Sequence, residues 1–181
     1  MAAALARLKA VSPVHAGGAA LVLAAATILA AHAFESIGGY IPCPLCLQQR
    51  YAYYIAIPLL AGALALLTVN KRTLAAMLFA AVAVAFLANA GLGIYQAGAE
   101  WKLWDPPATC AAPTELPTLT LDAKGLNRQP VSCGVASWRM LGLSFAGWNV
   151  VASLVLALGA ATAAAGAVQQ QQAPPAGYRP A

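Results

Sequence analysis

Long apolar stretches without a formal charge alternate with short polar segments along this chain of 181 residues. The uncharged stretches cover residues 14–34, 51–70, 73–99 and roughly 143–168. A helix needs about 20 apolar residues to cross a bilayer, so each stretch is long enough to span one. The pattern predicts an all-α membrane protein, a four-transmembrane-helix bundle with helices at about 14–34, 46–69, 73–97 and 143–167.

Composition excludes the two other broad classes of chain. Hydrophobic residues make up 61% of the chain, only 8% of residues are charged, and the mean hydropathy is +0.72. Soluble proteins carry about 25% charged residues, and disordered chains are poor in apolar ones. The net charge of +5 comes from scattered basic residues, and their longest run is Lys71-Arg72. We therefore expect membrane lipid, and no nucleic acid, as a partner.

The segments outside the predicted helices are a cytoplasmic N-terminus at 1–13, loops at about 35–45 and 98–142, and a tail at 169–181. The tail is rich in Gln, Ala and Pro and is predicted to be disordered and cytoplasmic. The first span has an alternative interpretation as a cleaved signal peptide, because Arg7 and Lys9 precede an apolar run that ends in an A-x-A pattern at 31–33. Its apolar run is longer than a signal peptide needs, which favours a retained helix.

The four cysteines all lie in the two loops between spans. Cys43 and Cys46 precede the second span, whereas Cys110 and Cys133 lie between the third and fourth. Two crossings separate the loops, so both pairs face the same compartment. Disulfides persist in oxidising compartments, which predicts that both loops are extracytoplasmic. The Lys71-Arg72 turn is then cytoplasmic, in agreement with the positive-inside rule.

The C-x-x-C pair has the features of a redox site. Pro44 suits the first turn of a helix, so Cys46 should lie near the amino end of the second span, where a thiolate is stabilised. Arg50 lies four residues further along the same helical face and would add a favourable positive charge. Half of a zinc site and two structural disulfides remain as alternative interpretations. A bond within C-x-x-C closes a ring too small to stabilise a fold much, which favours redox chemistry.

Several segments together resemble the DsbB family. They are CPLCLQQR at 43–50, Thr109-Cys110, Cys133, WRMLGLS at 138–144 and Trp148-Asn149. DsbB proteins are bacterial inner-membrane proteins that reoxidise the periplasmic dithiol oxidase DsbA and pass the electrons to quinone. The resemblance implies an inner-membrane protein-disulfide oxidoreductase with both loops in the periplasm.

The resemblance also implies a role for each site residue. A DsbA-like periplasmic partner would attack Cys110, which forms the loop disulfide with Cys133. Electrons would then pass to Cys43 and Cys46 by thiolate exchange. Cys46 would donate them to a bound quinone, either ubiquinone or menaquinone, with Arg50 as the second quinone-binding residue. Two other functions remain open: a DsbI-like quinone-linked oxidase for a dedicated substrate, and a non-catalytic tetraspan protein with structural disulfides.

Further polar and aromatic positions allow more than one interpretation. The DsbB family often has an acidic residue before the arginine, where this chain has Gln49, so the resemblance implies no carboxylate there. Polar and small residues on the third span indicate close helix contact or the lining of a quinone pocket, with close contact preferred. Tyrosines that begin the second span are typical of an interfacial aromatic belt. The segment 138–145 is expected to be a short surface helix or an irregular start of the fourth span. The residues concerned on the third and second spans are Asn89, Gly91, Gly93, Gln96, Tyr51, Tyr53 and Tyr54.

Overall fold

The computed structural model describes residues 12–107, 110 and 133–172. Within these residues the chain forms four long helices: α1 at Pro13–Ser36, α2 at Pro44–Thr68, α3 at Arg72–Glu100 and α4 at Phe145–Gln172. Each is long and apolar enough to cross a membrane. The prediction of an all-α membrane protein with four spans is confirmed.

Local chemistry accounts for where the helices begin and turn. Proline occupies the first position of both α1 and α2, where its missing N–H costs nothing and its fixed φ suits a helix. Asn70 adopts a φ of +60° in the tight turn between α2 and α3. Asparagine tolerates this left-handed conformation better than most residues.

The carboxyl end of α4 extends beyond the predicted boundary. Residues 169–172 are helical, although composition predicted disorder from residue 169 onwards. Glutamine is a good helix former, and contacts with the start of α3 hold this end. Arg72 donates to the carbonyl of Gln170, and Thr73 Oγ1 donates to Gln171 Oε1 over 2.8 Å. The rest of the predicted tail and the N-terminus to residue 11 lie outside the described residues.

A short β-hairpin precedes α4 in place of the expected surface helix or irregular helix start. Strands β1, Arg139–Met140, and β2, Leu143–Ser144, pair antiparallel. The two turn residues, Leu141 and Gly142, have φ values of +52° and +83°. Two consecutive positive φ values match the tight turn that suits the twist of a two-residue hairpin.

The helices pack in a ring in which each contacts its two neighbours along the chain, and α4 closes the ring against α1. The most extensive interface joins α3 and α4. The core consists mainly of small and apolar side chains, and its largest fully buried members are Phe79, Phe86, Leu60, Leu156 and Val82. Other large apolar side chains face outward, as expected of a bundle whose surroundings are lipid.

Gly93 lies where α3 and α4 approach each other closely. A Cβ atom at this position would lie 2.7 Å from Val150 Cγ2 and 3.3 Å from the Ala146 carbonyl oxygen. A Cβ atom at Gly91, on an exposed face of α3, would meet nothing within 4 Å. Of the two glycines, only Gly93 therefore serves close helix contact.

The contrast between the two glycines can be tested with one alanine substitution at each. We expect Gly93→Ala to lower the free energy of unfolding by about 1–3 kcal/mol, because the added methyl group overpacks the interface of α3 and α4. The matched control Gly91→Ala should leave stability unchanged or raise it slightly, since alanine is the better helix former. Thermal unfolding of the purified protein in detergent measures both. Equal melting temperatures for the two variants would contradict the assigned contact.

Candidate active site

All four cysteines lie at the same end of the bundle, where α1 and α3 end and α2 and α4 begin. Cys43, Cys110 and Cys133 are buried together with Leu45 in one apolar cluster, and Cys46 packs against it. Cys110 and Cys133 form a disulfide with Cα atoms 5.4 Å apart. Lys102 Nζ donates to the carbonyl oxygen of Gly134 over 2.8 Å, which attaches the Cys133 segment to the end of α3. The two cysteine pairs are therefore adjacent.

The first turn of α2 brings the C-x-x-C sulfurs together. Cys43 is the N-cap residue, and its Sγ accepts a hydrogen bond from the Cys46 backbone N–H over 3.2 Å. The Cys43 thiol also donates to Cys46 Sγ, with 2.8 Å between the sulfur atoms. A disulfide bond measures about 2.05 Å, so a small side-chain rotation is enough to join the pair. Cys46 is the third residue of α2, near its amino end as predicted, and its backbone N–H there donates to the Cys43 sulfur.

The hydrogen bond between the two sulfurs favours a neutral thiol at Cys43 and negative charge at Cys46. The bond that the Cys43 thiol donates to Cys46, together with burial, raises the pKa of Cys43 above the ordinary value for cysteine. Cys43 therefore remains a neutral donor. That donor stabilises negative charge on the Cys46 sulfur.

The two sulfurs also face different surroundings. Cys43 is 2% exposed and lies among the buried cysteines. Cys46 is half-buried and lines a cavity of about 440 Å³ between α1, α2 and α4. Most of the cavity wall is apolar, and the loop before α2 and the hairpin segment complete it. Its lining includes Thr27, Ile28, Ala30, Ala31, Phe34, Glu35, Tyr40, Ile41, Pro42, Gln49, Arg50, Tyr53, Ser137, Trp138, Met140, Phe145, Ala146, Trp148, Asn149 and Ala152.

Four aromatic side chains form one side of this cavity. Trp138 stacks on Phe145 with 4.8 Å between ring centroids. Phe34 packs edge-on against Phe145 at 5.1 Å, and Tyr40 does so at 5.6 Å. These rings come from α1, the loop after it, the hairpin segment and α4. A flat apolar ligand would find stacking surfaces there.

Arg50 supplies positive charge to the cavity, and a residue that the sequence did not single out supplies its counter-charge. The Arg50 side chain is 12% exposed and lies one helical turn after Cys46. Its Nη1 donates to Glu35 Oε2 over 2.6 Å. The resemblance implied no carboxylate next to this arginine because Gln49 precedes it, yet α1 provides one. Only the folded structure reveals this pair, because fifteen positions separate its members along the chain.

A network of buried amide groups lies on the inner side of Cys46. Gln96 of α3 donates to Cys46 Sγ over 3.4 Å and accepts from Gln49 Nε2 over 2.7 Å. Asn149 donates to Gln49 Oε1 over 2.7 Å and accepts from the Tyr53 hydroxyl over 2.8 Å. Tyr53 is buried and so does not belong to the interfacial aromatic belt. Sequence reasoning missed Gln49, Asn149 and Tyr53 as network members. Their polarity within apolar helices was the available signal.

The cavity fits a quinone by size, shape and chemistry. Pockets for small ligands and cofactors have volumes of about 300–1,000 Å³, with mostly apolar walls and a few polar groups. Here the walls offer aromatic rings for a flat head group, a sulfur at Cys46 and a guanidinium at Arg50. In the part of the chain that the structure describes, no three His, Cys, Asp or Glu side chains form a group that could hold a metal ion.

Comparison with known proteins agrees with this arrangement. Residues 15–163 match the family described as disulfide bond formation protein DsbB. A disulfide bond formation protein B of Aromatoleum aromaticum is 35% identical over 125 residues, which cover 66% of this chain and 73% of that protein. Its counterpart in Verminephrobacter eiseniae is 28% identical over 148 residues, covering 77% of this chain and 80% of that protein.

An uncharacterized protein of Rickettsia prowazekii is 29% identical over 143 residues, covering 75% of this chain and 80% of that protein. No solved structure matches the chain significantly. The match to the family extends over most of the chain and covers the second and third spans, most of the first and fourth, and the four cysteines between them. The chain belongs to the DsbB family of membrane disulfide bond formation proteins, and disulfide oxidoreductase chemistry follows from that membership.

Proposed function

We propose that this protein is a quinone-dependent thiol oxidase that reoxidises a periplasmic DsbA-type dithiol oxidase. One observation carries the proposal: the two sulfurs on the first turn of α2 face different surroundings. Cys43 lies against the Cys110–Cys133 disulfide, and Cys46 lines the apolar cavity. Such a pair is suited to receive electrons on one side and release them on the other.

The thiol side of the reaction consists of balanced disulfide exchanges. A thiolate of the reduced partner attacks Cys110, breaks its bond to Cys133 and releases Cys133 as a thiolate. The second partner thiolate then attacks the mixed disulfide, so that the partner leaves oxidised and Cys110 is reduced. Cys133 next attacks Cys43 in an oxidised Cys43–Cys46 pair and releases Cys46. Attack of Cys110 on Cys133 restores the loop disulfide and leaves Cys43 reduced.

This sequence leaves two electrons on the C-x-x-C pair. The described arrangement, with Cys110–Cys133 bonded and Cys43 and Cys46 as thiols, corresponds to that stage. A quinone in the cavity would accept the two electrons and two protons. Cys46 is the sulfur in reach of such a ligand, and Arg50 would hold the ligand and stabilise negative charge beside it. The overall reaction converts a partner dithiol and a quinone into a partner disulfide and a quinol.

Redox chemistry with a DsbA-type partner requires the cysteine end of the bundle to face the periplasm. This orientation puts both chain termini and the basic Lys71-Arg72 turn in the cytoplasm, as the positive-inside rule favours. The protein would then lie in the bacterial inner membrane.

Loss of the sulfur that faces the cavity tests where electrons leave. We expect Cys46→Ala to abolish quinone reduction driven by a reduced DsbA-type protein, because Cys43 alone cannot form the second disulfide. The Cys110–Cys133 bond should still exchange once with the partner. Absorbance of the quinone and a thiol count on the partner measure the two steps separately. Continued turnover in this variant would refute the assigned exit.

Removal of the arginine tests its role toward the quinone. We expect Arg50→Ala to raise the KM for quinone about tenfold or more, since a charge-assisted hydrogen bond contributes about 1.5–3 kcal/mol. Arg50→Lys should have a smaller effect because it keeps the charge. Arg72→Ala, at the opposite end of the bundle, is the matched control and should behave like wild type. Membrane fractionation confirms insertion, and wild-type quinone kinetics in Arg50→Ala would disprove the role.

A mixed-disulfide trap tests the partner and its point of attack together. In a Cys133→Ser variant the freed Cys110 thiolate can attack the disulfide of an oxidised DsbA-type protein, and no loop cysteine remains to resolve the product. We expect a mixed disulfide that contains Cys110, seen on non-reducing gels and assigned by mass spectrometry. A Cys110→Ser control should give none. Recovery of a different periplasmic protein from cells, without any DsbA-type protein, would favour an oxidase with a dedicated substrate.

A further inference from the structure

The buried amides around Cys46 form a chain with a single direction. Tyr53 O–H donates to Asn149 Oδ1, Asn149 Nδ2 donates to Gln49 Oε1, and Gln49 Nε2 donates to Gln96 Oε1. With its oxygen engaged in this way, Gln96 directs its Nε2 toward Cys46 Sγ, 3.4 Å away. Each amide has one accepting and one donating end, so the orientation of the first member sets that of the last.

A second donor fixes the deep end of the chain. Asn89 Nδ2 donates to Ser153 Oγ over 3.0 Å and approaches Asn149 Oδ1 at 3.4 Å. Two donors, Asn89 and Tyr53, therefore converge on the same oxygen of Asn149. Reversal of the Asn149 amide would bring its NH₂ group against the Asn89 NH₂ donor. With Asn89 oriented as a donor to Ser153, this conflict favours the direction that ends with an N–H at the sulfur.

Burial makes the arrangement rigid and its hydrogen bonds strong. Gln96 is 3% exposed and Gln49 is 5% exposed. In such surroundings an amide that loses its partner is costly, so each member holds the next in place. A buried N–H group near a sulfur also stabilises the charged form of that sulfur more than a solvated one would.

From this geometry we propose that Gln96 donates a hydrogen bond that stabilises the Cys46 thiolate, and that Gln49 and Asn149 are positioning residues that orient its amide. The inference rests on the proposed function in one respect only, that Cys46 is the sulfur that passes electrons on. Cys43 receives a weaker contact from the same Gln96 nitrogen, at 3.6 Å. Gln96 is therefore a second hydrogen-bond donor to Cys46 Sγ, besides the Cys43 thiol.

Charged groups lie around the site on several elements and bear on any test of Gln96. Arg50 lies on α2 and is paired with Glu35 of α1. Glu100, on α3, accepts a hydrogen bond from Gln96 Nε2 over 3.5 Å and interacts electrostatically with Arg139 of β1. Exchanging Gln96 for methionine, which has a similar length and no amide, leaves Arg50, Glu35 and Arg139 in place but removes the hydrogen bond that Gln96 donates to Glu100.

The test measures thiolate formation directly, without any quinone. In the full-length protein with Cys43→Ser, Cys46 is the only cysteine outside the loop disulfide. The rate of its alkylation by iodoacetamide is followed against pH in detergent after removal of quinone. We expect Gln96→Met to shift the midpoint of this profile upward by about one pH unit, with about tenfold slower alkylation below both midpoints. Gln49→Met should shift it in the same direction by less.

The exposed neighbour Gln48 provides the matched control, and Gln48→Met should leave the midpoint unchanged. An unshifted midpoint in folded Gln96→Met protein would overturn the inference. If Gln96→Met does not yield folded protein, Gln49→Met decides in the same way. If Gln96→Met shifts the midpoint but the wild-type protein does not reduce quinone, the proposed function fails and this inference stands. If the wild-type protein reduces quinone and Gln96→Met does not shift the midpoint, this inference fails and the proposed function stands.

Discussion

The structure depends on how the first turn of α2 separates two sulfur atoms that remain in contact. One lies at the helix cap among buried cysteines, and the other lies at the wall of an apolar cavity. Proline at the start of the helix fixes the position of this turn. A single turn of helix thereby joins the cluster of buried cysteines to the apolar cavity.

Lipid surroundings explain why most of the polar groups near this turn are paired with one another. Polar atoms inside a membrane bundle have little water to bond, so they must find partners in the protein. Arg50 meets Glu35 across two helices, and the amides of α2, α3 and α4 bond in series. The same bonds that reduce the cost of burial also orient an arginine that lines the cavity and an amide beside the Cys46 sulfur. Stability and chemistry in this region therefore use the same contacts.

Sequence reasoning reached the architecture and the cysteines because both follow from local patterns. Charge-free stretches of sufficient length identify membrane helices, and cysteines confined to two loops identify the reactive end. It could not find the pairing of Glu35 with Arg50 or of Gln49 with Gln96. The partners lie on different helices, and the sequence around a polar residue does not indicate which residue of another helix it contacts. It also missed the hairpin before α4, although Gly142 was a signal for a turn. It also ended the fourth helix too early, because α4 continues beyond its apolar residues, where contacts with the start of α3 hold the glutamines.

The use of a cysteine as the N-cap of α2 joins backbone structure to oxidation state. The Cys43 sulfur accepts the Cys46 amide hydrogen, so it cannot swing toward another sulfur without giving up that bond. Each departure of Cys43 from the cap leaves a backbone donor without its acceptor and loosens the amino-terminal winding of the helix. Disulfide exchange at Cys43, as proposed above, would therefore be accompanied by fraying and rewinding of the amino end of α2.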